Sequence, residues 1–131
     1  MLFANLSSTL SRYVPSMTNA ATGLRAEQSA CHALAADGWH ILGRRLRTKA
    51  GEIDAVAEKE GLLAFVEVKS RPTLAMAAEA LRPRQQARLM AAAEILLAEN
   101  PDWGPAGIRF DVLLVDPQLR VRRIKDAVRL N

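Results

Sequence analysis

The sequence contains a single cysteine, Cys31, and only two histidines, His32 and His40. One thiol cannot close an internal disulfide, and no Cys/His spacing suits a structural zinc, which excludes both oxidised scaffolds and zinc-built folds. Cys31 lies among Ala30, Ala33 and Leu34, where a small buried hydrophobe is a better reading than a reactive thiol. Long apolar runs are missing too: a spanning helix needs roughly 18–20 such residues, and the nearest stretch, from Met90 to Ala98, is broken by Glu94. No membrane contact is expected, and the cytoplasm is the expected compartment. The first residues have no positive charge ahead of an apolar core, so they do not read as a secretory signal. There is no internal repeat. Aromatics are sparse: Trp39, Phe65 and Phe110 fall on strand patterns and are assigned to the core. Trp103 sits in a Pro- and Gly-containing loop, where it either covers a helix end or stacks on a base.

What remains is the composition of one globular domain. A chain of 131 residues leaves room for a single core. Half of the residues are hydrophobic and about a quarter are charged, which excludes a disordered or collagen-like chain. Eighteen Lys and Arg against fourteen Asp and Glu give a formal charge of +4 and a pI near 9.8, a balance that favours polyanionic partners. The basic residues form three groups: Arg44, Arg45, Arg47 and Lys49; Arg82, Arg84 and Arg88; Arg120, Arg122, Arg123 and Lys125. Such groups either line one binding surface or solubilise three.

Residues 1–21, rich in Ser, Thr, Asn and Ala without a sustained period, are expected to form a loosely ordered arm ahead of a domain over residues 22–131. Apolar positions at helical spacing from Leu24 to Ala36, stopped by Asp37-Gly38, predict a first helix. Strands follow over Trp39–Leu46, Gly51–Ala57 and Leu62–Lys69, with Glu60-Gly61 as a two-residue hairpin turn between the last two. Pro83 opens a second helix that runs to Glu99 on a stripe of Leu89, Ala92, Ala93, Leu96 and Leu97. Ile108–Asp116 and Arg120–Ile124 complete the pattern as strands, the last with alternating arginines that suggest a sheet edge. The order α-β-β-β-α-β-β is that of an α/β domain.

The hairpin holds the chemistry. If Glu60-Gly61 is the turn, Lys59 faces Leu62, and the same register sets Asp54 opposite Glu67 and Glu52 opposite Lys69. Strand alternation then turns Glu52, Asp54, Glu67 and Lys69 to one side, with Ile53 and Ala55 meeting Val68 and Val66 on the other. Converging carboxylates repel one another unless a cation is present. Mg²⁺ takes oxygen ligands and keeps several waters, so Asp54, Glu67 and a phosphate oxygen suffice, with the carbonyl of Val68 as a further ligand. Lys69 is suited to orient or deprotonate an attacking water and to stabilise developing charge. The plain alternative is a set of cross-strand ion pairs on a solvated sheet face.

Gly51-Glu52-Ile53-Asp54, followed by Phe65-Val66-Glu67-Val68-Lys69-Ser70-Arg71, resembles the signature of the YraN-like family of bacterial proteins. That family is itself similar to the PD-(D/E)XK nucleases, archaeal Holliday-junction resolvases among them. Ala26-Glu27 on the first helix, the Trp39–Leu42 strand, Arg45 and Arg47 ahead of Gly51, and Arg109-Phe110-Asp111 stand where the family pattern has related residues. The resemblance spans about Leu24 to Leu130. It implies a restriction-endonuclease-like three-layer fold, a central mixed sheet flanked by helices.

In the site, the resemblance makes Asp54 the first acid, Glu67 the second and Lys69 the lysine, and it adds Glu27 as a helical acid at the metal. Arg45, Arg47, Arg71 and Gln86 become candidate nucleic-acid contacts. Two positions depart from the pattern: Gln85-Gln86 stand where a lysine often opens the long helix, and Ala26 replaces a glycine. Asp111 is expected to partner an arginine. The implied activity is Mg²⁺- or Mn²⁺-dependent hydrolysis of DNA rather than RNA, with branched or damaged DNA among the expected substrates, by a protein for which a homodimer is open. The competing expectation is a nucleic-acid-binding or processing-accessory protein on the same fold without turnover.

Overall fold

A computed structural model of the chain describes residues 2–3, 15–73 and 82–127. Its elements are β1 (Leu2–Phe3), α1 (Pro15–Ala36), β2 (His40–Thr48), β3 (Gly51–Lys59), β4 (Leu62–Ser70), α2 (Pro83–Glu99), β5 (Gly107–Val115) and β6 (Val121–Ile124). The strands form one sheet in the order β1-β6-β5-β4-β3-β2. β4 and β5 run parallel, and every other neighbouring pair is antiparallel. α2 is the crossover between the two parallel strands, as a parallel connection requires.

Two apolar layers hold the helices to the sheet. On one face, Ala26, Ala30 and Ala33 of α1 meet Ala55, Ala57 and Ala64, so small residues on both sides let the helix lie close to the strands. On the other, Leu89, Ala92, Ala93 and Leu96 of α2 cover Ile53, Val56, Leu63 and Phe65, and Phe65 stacks on Phe110 with ring centroids 5.4 Å apart. This is the expected three-layer, restriction-endonuclease-like fold with its mixed central sheet. Cys31 is buried in the α1 layer, where desolvation pushes its thiol pKa up, consistent with a packing role. Trp103 packs against the α2 layer. Among the described residues, no helix is long and apolar enough to cross a membrane.

Several boundaries move. α1 begins at Pro15 rather than Leu24 and takes in residues 15–21, assigned above to an arm. Ser, Thr and Asn supply no apolar stripe there, so periodicity could not reveal a helix that Pro15 is suited to open. β2 continues two residues beyond Leu46. β6 is not the edge strand expected from its arginines, because Leu2 and Phe3 pair with Arg122 and Val121 on its outer side. The turn at Glu60-Gly61 is as expected, with φ of +53° and +83°, the two left-handed positions of a type I′ hairpin.

Candidate active site

The predicted register of the β3–β4 hairpin runs from Lys59↔Leu62 to Ala55↔Val66 and stops there. At the next residue the Asp54 side chain takes over from the backbone: the Val68 N–H donates to Asp54 Oδ2 at 2.8 Å. A carboxylate therefore fills the place of a ladder carbonyl, and β3 parts from β4. β4 itself stays paired with β5 as far as Ser70↔Val115, so Glu67 and Lys69 rest on a regular support. The alternation of β3 slips at the same point, with Ile53 and Val56 both in the α2 layer while Ala55 lies in the α1 layer. The expectation that Ile53 shares a face with Ala55 is thereby corrected, as is the pairing of Glu52 with Lys69. Glu52 Oε2 instead takes a 3.4 Å contact from Arg47 Nε.

The neighbouring strand is irregular at the same level. Arg44↔Ala55 and Leu46↔Ile53 pair normally across β2 and β3, but Arg45 between them has φ of +52°, a left-handed conformation that a non-glycine residue adopts at a cost. Its guanidinium reaches α1, where Arg45 Nε lies 2.8 Å from Glu27 Oε1. Glu27 is thus engaged by Arg45, and no group of three or more His, Cys, Asp or Glu able to hold a metal occurs among the described residues.

Glu67 is the centre of the charge arrangement. Its carboxylate is only 8% exposed, and Oε2 receives Lys69 Nζ at 3.1 Å and Arg88 Nη2 at 3.6 Å. Oε1 is buried and has no hydrogen-bond partner. Asp54 shares this space, and its pKa is pushed up to about 7, first by burial, then by the negative charge of Glu67 and by a hydrogen bond that protonated Asp54 can give to that carboxylate; the Val68 N–H and Lys69 pull the other way. A buried carboxylate with an oxygen lacking a donor and a half-buried one beside it can be neutralised by a proton held between them or by a cation. The donor set is all oxygen and hard, so the residues fit a divalent ion such as Mg²⁺ or Mn²⁺ that completes its shell with water.

Arg88 is the residue that the sequence reading missed. From the second turn of α2 its Nη1 donates to the Glu52 carbonyl at 3.2 Å, while Nε and Nη2 reach Gln85 Oε1 at 3.4 and 3.0 Å. Gly51, at φ +141°, makes room for it, since a Cβ there would sit 2.6 Å from Arg88 Nη1. The available signal was the glycine before the first acid together with Gln85 and Arg88 one helical turn apart. Of the other candidates, Arg47 is 87% exposed, Arg71 Nη1 donates to the Ser70 carbonyl, and Gln86 stands in the first turn of α2.

Asp111 has the structural role expected of it. Fully buried, it accepts two bonds from Arg109 and two from Arg123 at 2.7–3.0 Å. Both guanidiniums also lie over the Trp39 ring, at 5.3 and 4.6 Å.

Topology gathers the remaining charge. The β2–β3 turn, the end of β4, the start of α2 and the β5–β6 turn share the end of the sheet where Asp54 and Glu67 lie, bringing Arg47, Lys49, Arg71, Arg82, Arg84 and Arg120 there. The other end collects Asp37, Glu58, Glu60, Glu99 and Asp102.

The sequence profile of the uncharacterised protein family UPF0102 matches residues 26–115. The chain belongs to the UPF0102 family. The YraN-like signature read from the sequence is that of the same family. A UPF0102 protein of Granulibacter bethesdensis is 63% identical over 109 residues, covering 83% of this chain and 69% of the relative. Similar proteins in Rhodopseudomonas palustris, 46% identical over 106 residues with 81% and 82% covered, and in Acidiphilium cryptum, 49% identical over 107 residues with 82% and 83% covered, match over most of both chains. The stretch shared with the UPF0102 profile contains Glu27, Asp54, Glu67, Lys69 and Arg88, so the whole constellation lies inside the family domain.

Proposed function

We propose that this UPF0102 protein is a metal-dependent nuclease that hydrolyses phosphodiester bonds in DNA, in the cytoplasm. The observation that carries the reading is Glu67 Oε1, a buried carboxylate oxygen without a donor, beside the half-buried carboxylate of Asp54, whose pKa is raised to about 7. Buried polar groups are nearly always satisfied, and an exception calls for a bound water or ion or a catalytic role. Asp54 and Glu67 would hold Mg²⁺ or Mn²⁺, with the Val68 carbonyl as a further oxygen ligand. Bound there, the ion would supply an activated water and charge neutralisation at the phosphate.

The chain's own residues do the rest. Asp54 is held beside Glu67 by the Val68 N–H, which donates to its Oδ2. Lys69, 15% exposed and 3.1 Å from Glu67, orients the water and stabilises negative charge on the phosphate. The basic residues at this end of the sheet attract a polyanion and set it against the carboxylates.

The test is cleavage of single-stranded, duplex, flapped and four-way-junction DNA, with RNA alongside, in Mg²⁺, Mn²⁺ or chelator, by the wild type, Asp54→Ala and Lys69→Ala. Cutting that needs the metal and is lost in both variants is the expected result. A folded wild type that cuts no substrate, or variants that cut as well as it does, would overturn the reading. One observation favours a second account, a nucleic-acid-binding protein without turnover: Glu27 is engaged by Arg45 and does not form a three-acid cluster with Asp54 and Glu67. Salt-sensitive binding that survives Asp54→Ala, with no cleavage, would select it.

A further inference from the structure

Arg88 is held by acceptors from three parts of the site. Its guanidinium spans the Glu52 carbonyl on β3, Gln85 on its own helix and Glu67 on β4, and it covers the bare backbone of Gly51. It shares Glu67 Oε2 with Lys69, so two cations meet one carboxylate oxygen while the other oxygen has no donor. The Arg88 contact is the longer, 3.6 against 3.1 Å, and the Arg88 side chain is one-third exposed where Lys69 is 15% exposed. Of the two, Arg88 is the cation that can leave.

We infer that Arg88 is an exchangeable counter-cation, which balances Glu67 until a divalent metal binds and then passes to a phosphate of the bound nucleic acid. This rests on the metal-site reading above and adds a residue and a sequence of events to it. The charge argument is direct. Asp54 and Glu67 supply at most two negative charges, Lys69 offsets one, and a divalent ion added with Arg88 still in place leaves the cluster positive. Such excess is relieved when a polyanion arrives, and Arg88 lies at the end of the sheet where Arg82 and Arg84 open the same helix. A guanidinium offers planar, paired donors suited to phosphate once its carboxylate contact is released. Metal and nucleic acid should then bind with positive linkage, each strengthening the other by the same factor.

The prediction has opposite signs for the two ligands. Taking a positive charge from beside Glu67 should tighten Mn²⁺ binding, by about tenfold if the effect matches the low end of that of a single neighbouring charge, and should weaken nucleic-acid binding. A residue that merely holds the fold would weaken both when replaced. Mn²⁺ binding to the full chain is measured by electron paramagnetic resonance titration without DNA. Duplex and junction DNA binding is then measured with Ca²⁺ in place of Mn²⁺, which is intended to hold cleavage off. The variants are Arg88→Gln, Arg88→Lys and Asp54→Asn, each checked by thermal melting.

Tighter Mn²⁺ and weaker DNA binding in Arg88→Gln, with Mn²⁺ affinity near wild type in the charge-preserving Arg88→Lys, is the expected result. Unchanged or weaker Mn²⁺ binding in Arg88→Gln would overturn the exchange while leaving the metal site standing, as long as wild type binds Mn²⁺ and Asp54→Asn does not. If Arg88→Gln does not fold, Arg88→Lys decides: Mn²⁺ binding more than a few-fold weaker than wild type refutes a charge role. Failure of wild type itself to bind Mn²⁺ would sink the metal reading, and this inference with it.

Discussion

The two ends of the β3–β4 hairpin are built from the same two strands and differ in nearly every physical respect. At the turn end, Glu60-Gly61 closes a regular ladder, and the charges gathered there are mostly acidic. Among the cations that meet them, Lys59 donates to the Asp37 carbonyl at 2.7 Å and Arg123 Nη1 lies 3.5 Å from Asp37 Oδ2. At the open end the ladder gives way to an Asp54 side chain, Arg45 opposite it is left-handed, and Glu67 keeps a buried oxygen without a donor. The first end is locally complete. The second is complete only when something further is bound, and departures from local consistency of this kind concentrate where function is located.

Breaking the support beneath both ends should have the largest effect. Asp111→Ala strips four bonds from Arg109 and Arg123 and leaves two partly or fully buried guanidiniums without their carboxylate. Chemical denaturation should show a loss of about 3–5 kcal/mol; a loss under 1 kcal/mol would mean that the cluster is not a structural centre.

A pH series sharpens the comparison at the open end. Asp54 has a folded pKa near 7 against an ordinary carboxyl value of 3.8, so between those values the folded state binds more protons than the unfolded one. Its contribution is fully present below about pH 4 and is lost as pH rises towards 7 and beyond. The melting temperature of metal-free protein should therefore carry a component that falls across this window. Asp54→Asn, whose amide can donate to Glu67 at any pH, should remove that component and raise metal-free stability near pH 8. Added Mg²⁺ should stabilise wild type above pH 7 and leave Asp54→Asn unchanged. Identical pH profiles for the two proteins would count against a shared carboxyl pair.

At the turn end a smaller effect is expected. Gly61 sits at φ +83° with its would-be Cβ 3.1 Å from Ala106 Cβ, so Gly61→Ala should cost about 1 kcal/mol or somewhat more. Metal binding should be untouched; a Mg²⁺ response altered by this change would show that the two ends are coupled. Smallest of all, Arg47→Ala removes an exposed contact to Glu52. Stability should move by less than about 0.5 kcal/mol, while the salt slope of DNA binding should fall by about one. An unchanged slope would remove Arg47 from the interface.

The sequence carried the regular parts well and the irregular ones poorly, for identifiable reasons. Two-residue alternation and a Glu-Gly turn specify a ladder from Lys59 to Ala55, because each pair follows geometrically from the last. That extrapolation fails at Asp54, where a side chain competes with the backbone for one N–H, something periodicity does not encode. Glu52 accordingly finds Arg47 rather than Lys69. α1 was recognised only from its apolar half, and its earlier turns, made of Ser, Thr, Asn and Ala, had no stripe to read. Arg88 lay in one of three basic groups with nothing local to single it out, and Gln85, one turn before it, is the amide seen to hold it.

Composition, periodicity and the two short motifs thus determined the α/β class, the order of elements, the hairpin register and the acids and lysine that share its open end, since all of these depend on neighbours in sequence or on one tight turn. Tertiary structure alone decided that Glu67 meets Arg88 from a helix some twenty residues downstream, that Glu27 meets Arg45, that Arg123 turns inward to Asp111, and that Arg47, Lys49, Arg71, Arg82, Arg84 and Arg120 gather at one end of the sheet. Those pairings arise from the parallel crossover and the packing of both helices, which bring distant residues together at distances and burial that no spacing along the chain records.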